Sequence, residues 1–236
     1  MCRGRNARLT VLRCAAAVVA IAMLLGGCTV RSGAVERTTD PVPDRDLEML
    51  IPTADAIDAV MGVAMSPQPV VDHMSDNRNL VTNVSCLGIW HVGEAAVYGE
   101  QDGRGWSAMR RQTLRAPDAE DWTSQVVQAV IGYPSAQAAQ AFFTQSADRW
   151  AHCTDHTVNI TLNGQALPKW RSGRLDRSAD RLAIGVSRGV GEQLRSCQRV
   201  LTVAANVVVD VEACRAGAAA VDQADRIASL IESGVR

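Results

Sequence analysis

Cys197-Gln-Arg-Val-Leu-Thr-Val-Ala-Ala-Asn-Val-Val-Val-Asp-Val-Glu-Ala-Cys214 decides the fold. It reads as two strands joined by a tight turn at Ala205-Asn206. Side chains alternate along a strand, so one register sorts the whole stretch. Val200, Thr202, Ala204, Val207, Val209, Val211 and Ala213 fall on one face; Cys197, Arg199, Leu201, Val203, Val208, Asp210, Glu212 and Cys214 fall on the other. The same register sets Cys197 opposite Cys214 and Arg199 opposite Glu212. The cysteine match, the charge match and the apolar face agree. Counted from the turn, the two cysteines form a non-hydrogen-bonded pair, where the chains lie closest, as a disulfide requires. Ala-Asn is a poorer two-residue turn than Asn-Gly, so a longer loop with the same pairing remains open.

Outward from this hairpin, the cysteines bound the compartment. The chain of 236 residues contains seven cysteines. Its start reads as an export signal: Arg3, Arg5, Arg8 and Arg13 precede an apolar run from Cys14 to Leu25, too short for a well-behaved transmembrane helix. Leu25-Gly26-Gly27-Cys28 then resembles a bacterial lipobox. The expected organisation is a signal peptide over 1–27, a lipidated Cys28 with a solvated tether to residue 46, and one domain over 47–236. The tether contains charged residues and prolines without an apolar period; flexible chain of that length spans about 25 Å. Cleavage removes four arginines and leaves twenty basic against twenty-five acidic residues, a net charge of about −5. That balance argues against nucleic acid as a partner. Cys86, Cys153, Cys197 and Cys214 remain, an even number that reads as two disulfides in an exported domain. The hairpin selects Cys197–Cys214, which leaves Cys86–Cys153. In the chain-entropy account the two are worth about 3 and 4 kcal/mol respectively.

The rest of the chain supplies strands and helices in an α+β order. Thr53 caps a helix over Ala54–Met61, and Gly62 stops it. Residues 63–85 are irregular. Strands are expected over 106–114, 122–133 and 157–162, around Lys169-Trp170, and over Arg181–Arg188. Ser135 opens a helix over 136–151 with Ala139, Phe142, Phe143, Ala147 and Trp150 on one stripe. Residues 219–231 form a last amphipathic helix. Short connections in the second half imply antiparallel pairing. The expected fold is therefore α+β: a single domain with a twisted antiparallel sheet, helices packed mainly on one face, and two disulfides.

One pattern links these elements. Cys86, Val126-Val-Gln-Ala-Val130, Tyr133-Pro-Ser, Ala141-Phe-Phe, Trp150-Ala-His-Cys153, Arg181-Leu-Ala-Ile, Cys197-Gln-Arg, Asn206-Val-Val-Val-Asp-Val and Cys214 follow in order, with Ile227-Ala and Ile231 closing it. It resembles the extracellular sensor domain family of the mycobacterial Ser/Thr kinase PknH, which also occurs alone in mycobacterial lipoproteins. The resemblance covers about residues 45–235. It implies a twisted antiparallel sheet, a broad ligand-binding cleft and the two disulfides paired as above. No kinase domain and no spanning helix accompany it, so passage of a signal inward is expected to need a partner.

Chemistry is less well marked. Gly185-Val-Ser187-Arg-Gly189 matches a nucleophile elbow, but a turn and a strand follow where an elbow needs a helix, and the last histidine, His156, precedes the serine. His152 and His156 have helical spacing, yet the helix ends between them and Cys153 is committed to a disulfide. No catalytic residue, metal site or cofactor is expected. If helices cover the Val207/Val209/Val211 face, the opposite face becomes a cleft floor on which Arg181, Ser187, Arg199, Leu201 and Asp210 meet a small-molecule or glycan ligand. The bland reading of Arg199 is an ion pair with Glu212. Trp106 and Trp170 are the aromatic ligand candidates. The expected function is a non-enzymatic, lipid-anchored binding or sensor-like module at the outer face of the cell membrane. A protein-interaction subunit docking on an envelope partner is the first alternative, and an envelope hydrolase the second.

Overall fold

The computed structural model describes residues 40–80, 84–99, 105–162 and 164–235. The expected signal peptide, Cys28 and most of the tether lie outside them. In chain order the elements are α1 (Ala54–Met61), β1 (Ser66–Pro67), α2 (Ala95–Tyr98), β2 (Ala108–Ala116), β3 (Ser124–Gly132), α3 (Ala136–Ala151), β4 (Thr157–Leu162), β5 (Gln165–Arg177), β6 (Arg181–Arg188), β7 (Arg195–Ala204), β8 (Val207–Ala216) and α4 (Gln223–Val235). Short 3-10 turns at Asp44–Leu50 and Val84–Ile89 add to them.

β7 and β8 pair in the register read from sequence, with Ala204 opposite Val207, Arg199 opposite Glu212 and Cys197 opposite Cys214. The turn is the two-residue one, and Ala205 takes the left-handed conformation it requires, φ 48°. The Cys197–Cys214 and Cys86–Cys153 disulfides are both formed. Eight antiparallel strands make one sheet in the order β1-β2-β3-β8-β7-β6-β5-β4. Two meanders, β1–β3 and β4–β8, are thus stitched together by the β3/β8 pair, with Val130 opposite Val209. α3 joins them by crossing a sheet face from β3 to the far edge strand β4.

Helices lie on both faces of this sheet. Over the valine face, Val200, Val207, Val209, Val211 and Ala213 pack with Ala224, Ile227, Ala228 and Ile231 of α4 and with Leu47, Ile57 and Met61. Over the cysteine face, Leu182, Ile184, Leu201, Val203 and Val208 pack with Ala139, Phe143, Ala147 and Trp150 of α3 and with Ile89, Trp90 and Val92. Burying a Leu- or Val-sized side chain is worth about 1.5–3 kcal/mol, so both layers contribute to stability.

Local chemistry explains the boundaries. The Thr53 hydroxyl accepts from the Ala56 N–H, and Gly62 ends α1 at φ 69°. The Ser135 side chain accepts from the Ala138 N–H at the start of α3. α4 starts four residues later than expected, after Val221, and the Gln198 side chain accepts from its Asp225 N–H at 3.0 Å. The chain is docked from Val42 onward, before the expected end of the tether. The Val42 N–H donates to Asn206 Oδ1 at 2.7 Å, and Asn206 Nδ2 donates to the carbonyls of Val42 and Tyr133. The hairpin turn therefore holds the incoming chain.

Candidate functional site

The cysteine face does not form a cleft floor. Arg199 is fully buried and Asp210 is 1% exposed. Segment 84–99 closes over them, tied to the end of α3 by Cys86–Cys153. Arg199 Nη2 donates to Asp210 Oδ1 at 2.6 Å and to the carbonyls of Gly88 and His91, and Nη1 donates to Val211 O. Asp210 Oδ2 accepts from the Gly93 N–H at 2.9 Å and from the Tyr98 hydroxyl at 3.0 Å. This pair fastens the covering segment to the sheet and is not presented to a ligand. The expected Arg199–Glu212 ion pair is also replaced. Glu212 instead accepts from Arg188 Nη2 at 2.7 Å, and Arg188 donates as well to the Trp90 carbonyl. Opposed residues need not pair when longer side chains reach a diagonal neighbour.

The other sequence candidates separate. Trp106 is 5% exposed in the core, and its Nε1–H donates to Gly99 O at 3.1 Å. Trp170 is half-buried on β5, beside the edge strand β4, 5.4 Å from Trp90, with the Arg188 guanidinium 4.7 Å from its ring. Arg181 lies on the valine face, since it pairs with Thr202 across β6/β7, and binds Asp225 and Glu232 of α4. Ser187 shares that face, opposite Ser196. The grouping of Arg181 and Ser187 with Arg199 and Asp210 thus mixed two faces. Where His, Cys, Asp and Glu ligand atoms cluster among the described residues, at Cys197, Glu212 and Cys214, the two sulfurs are bonded to each other.

His91 shows how dry the cysteine face is. Its Nε2 is buried with no hydrogen-bond partner among the described residues, and its ring meets the edge of Trp170 at 5.3 Å. Burial first, then the charges of Arg188, Arg199 and Arg111, hold its pKa well below the ordinary 6.5. The folded domain therefore resists protonation there, while the unfolded chain takes up a proton as pH falls through 6.5. Stability at this position is intact above that pH and is lost progressively below it, until the folded ring also protonates. We expect the urea midpoint to fall between pH 7 and pH 5, and His91→Asn to flatten that dependence by up to one proton, about 1.4 kcal/mol per pH unit. Equal slopes for the two proteins would contradict this account.

An open hollow lies on the valine face. α4 covers β7 and β8 but leaves one end of β5 and β6 bare. A hollow of about 420 Å³ results, lined by Arg171, Ser172 and Gly173 of β5, Gly185, Val186 and Ser187 of β6, Ser196 and Cys197 of β7, and Ala219–Val221 before α4. Gly185 projects no side chain into it: a Cβ there would meet no atom within 4 Å. Arg171 stands directly opposite Ser187 in the ladder. Of the residues lining this hollow, the sequence candidates include Ser187 but not Arg171, Gly173, Gly185 or residues 219–221. The signal for Gly185 was present, as a glycine on the same alternation as Ser187. The pairing of β5 with β6 that brings Arg171 beside it was not. A second hollow, about 400 Å³, lies between the β2–β3 and β6–β7 connections, with Glu120, Asp121, Trp122, Gln193 and Arg195 around it. Its arginine is already committed: Arg195 Nε donates to Trp122 O at 3.1 Å, and the guanidinium lies over the Trp122 ring.

The Ser187 motif lacks the setting of a nucleophile elbow. β6 runs into a turn, a 3-10 segment at Gly191–Gln193 and then β7, so no helix N-terminus follows the serine.

The family described as PknH-like extracellular domain matches residues 42–231. The serine/threonine-protein kinase PknH of Mycobacterium tuberculosis H37Rv is 30% identical over 221 residues, covering 92% of this chain and 34% of the kinase. PknH of Mycobacterium bovis is 31% identical over 192 residues, covering 81% of this chain and 31% of the kinase. The chain thus spans about a third of the length of these relatives. The crystal structure of the extracellular domain of PknH from Mycobacterium tuberculosis superposes with a TM-score of 0.75 at 29% identity, covering 84% of this chain and 98% of that one.

Proposed function

This chain belongs to the PknH-like extracellular domain family, and from that membership we propose that it is a non-enzymatic ligand-binding module held by a lipid on Cys28 at the outer face of the cell membrane. The family is extracytoplasmic by description, and two disulfides suit that compartment. Among the described residues no helix is long and apolar enough to cross a membrane. Leu25-Gly26-Gly27-Cys28 supports the lipid anchor, and the arginine-rich start supports the export signal.

One observation carries the binding reading: the hollow beside α4, where backbone at Gly185 and side chains of Arg171 and Ser187 are open to solvent-borne ligand. Its volume lies in the range of small-molecule sites. The full chain, incubated with an envelope extract and recovered, should retain a small molecule detectable by native mass spectrometry. Gly185→Phe should abolish that retention, because the ring would extend into the hollow from a Cβ position with no atom within 4 Å, and should leave the melting temperature within about 3 °C. Retention of the same molecule by Gly185→Phe would sink the assignment.

A second reading rests on the sheet edge. β4 pairs with β5 and is the last strand of the sheet, the position at which a strand from an envelope protein would add. Capture of a protein in place of a small molecule, lost on substituting Asn159 by proline, favours that reading.

A further inference from the structure

One charge in the hollow is unanswered. Arg171 is exposed on β5 and makes no ion pair or hydrogen bond among the described residues. The ladder sets it opposite Ser187, and Ser187 opposite Ser196. Neighbouring strands are about 4.8 Å apart, so this row of Arg171, Ser187 and Ser196 spans roughly 10 Å of open sheet. The Ser196 hydroxyl is used, donating to Gly217 O at 2.7 Å. The Ser187 hydroxyl has no partner among the described residues. Arg181 and Arg215 on the same face are engaged, Arg181 with Asp225 and Glu232 and Arg215 with the Met61 carbonyl. Lys169, two residues before Arg171 on the same face, is also exposed and unpaired. No carboxylate lines the hollow. The result is a positive pocket on a chain whose formal net charge is −1.

Resting on the binding reading above, we infer that the ligand carries a carboxylate or phosphate group, gripped by the Arg171 guanidinium and the Ser187 hydroxyl, with a neutral polar body lying over Gly173 and Gly185. An arginine fork matches two oxygens of either anion at once, and a serine hydroxyl donates a third hydrogen bond. The bare backbone at Gly185 lets a ring approach the sheet closely, and Ala219–Val221 supply a small apolar wall. Lys169 adds attraction at a distance that salt screens.

Matched probes test this on the full chain. Calorimetric titration would compare N-acetylmuramic acid with N-acetylglucosamine, which differ by a carboxylate-bearing ether, and glucose 1-phosphate with glucose. At least one anionic probe should bind about tenfold or more tightly than its neutral twin, and Arg171→Gln should erase that preference. Arg171→Lys should restore part of it, since the charge returns without the fork. The arm that responds identifies the anion. Equal binding of twins, anion binding unchanged in Arg171→Gln, or no binding by any probe overturns the assignment. Failure here remains separable from failure of the parent reading. If Arg171→Gln still retains the envelope molecule and Gly185→Phe does not, the hollow stands and its anion specificity falls. If the wild-type chain retains nothing, the binding reading itself falls.

Discussion

Replacing Arg199 by methionine should lower the stability of the domain by about 3–5 kcal/mol. The guanidinium is fully buried, and four acceptors depend on it: Asp210 Oδ1 and the carbonyls of Gly88, His91 and Val211. Methionine fills much of the volume but answers none of them. Asp210, 1% exposed, would keep its bonds from the Gly93 N–H and the Tyr98 hydroxyl but lose its counter-charge. A domain of this size has a total stability of roughly 5–15 kcal/mol, so the loss consumes a large share. Adding Asp210→Leu should cost far less than a second single substitution, because the stranded carboxylate goes with it; the coupling in a double-mutant cycle is the diagnostic quantity. Urea denaturation measures both. A loss below about 1 kcal/mol would mean that Arg199 behaves like a surface ion pair, against its burial.

The second large effect concerns the disulfide that ties down the cover. Cys86→Ser with Cys153→Ser should cost about 4 kcal/mol, since the bridge closes a loop with a sequence separation of 67. Removing Cys197–Cys214, with a separation of 17, should cost about 3 kcal/mol. The ladder between β7 and β8 holds those strands together with or without the bridge. Segment 84–99 has no such ladder. It is held by the disulfide to the end of α3, the Arg188 and Arg199 bonds to its carbonyls, the Gly93 N–H and Tyr98 hydroxyl bonds to Asp210, and the packing of Ile89, Trp90 and Val92. Hydrogen exchange in the Cys86/Cys153 variant should therefore rise first at residues 86–98, while β7 and β8 stay protected. Uniform loss of protection through the sheet would contradict that order.

These two effects show what the sequence could and could not express. The β7/β8 register was legible to the residue because it is local. Alternation, turn and cysteine match all act within one hairpin, and Ala204 opposite Val207 follows from them. α1 and α3 were legible for the same reason, through Thr53, Gly62 and Ser135. The burial of Arg199 and Asp210 was not legible because it depends on non-local packing. α3 crosses the sheet between β3 and β4, and with segment 84–99 it buries Arg199, Asp210 and Trp106. Nothing in the periodicity of Arg199–Asp210 distinguishes a charge under a loop from one facing a ligand. Ser187 survived as a candidate because its face could be counted along β6. Arg171 did not emerge, since the irregularity in the β5/β6 register between Ser172 and Leu175 hides which β5 residues share that face.

On the proposed function, binding belongs to the hollow on the valine face, and the cysteine face is a closed structural layer. One comparison tests both halves. Retention of the envelope-derived molecule would be measured by native mass spectrometry for the wild type, Gly185→Phe and Arg199→Met, at a temperature where all three are folded. The account predicts that Gly185→Phe loses the molecule with its stability nearly unchanged, while Arg199→Met keeps the molecule despite a stability loss of about 3–5 kcal/mol. The reverse pattern, with binding lost in Arg199→Met and kept in Gly185→Phe, would contradict it.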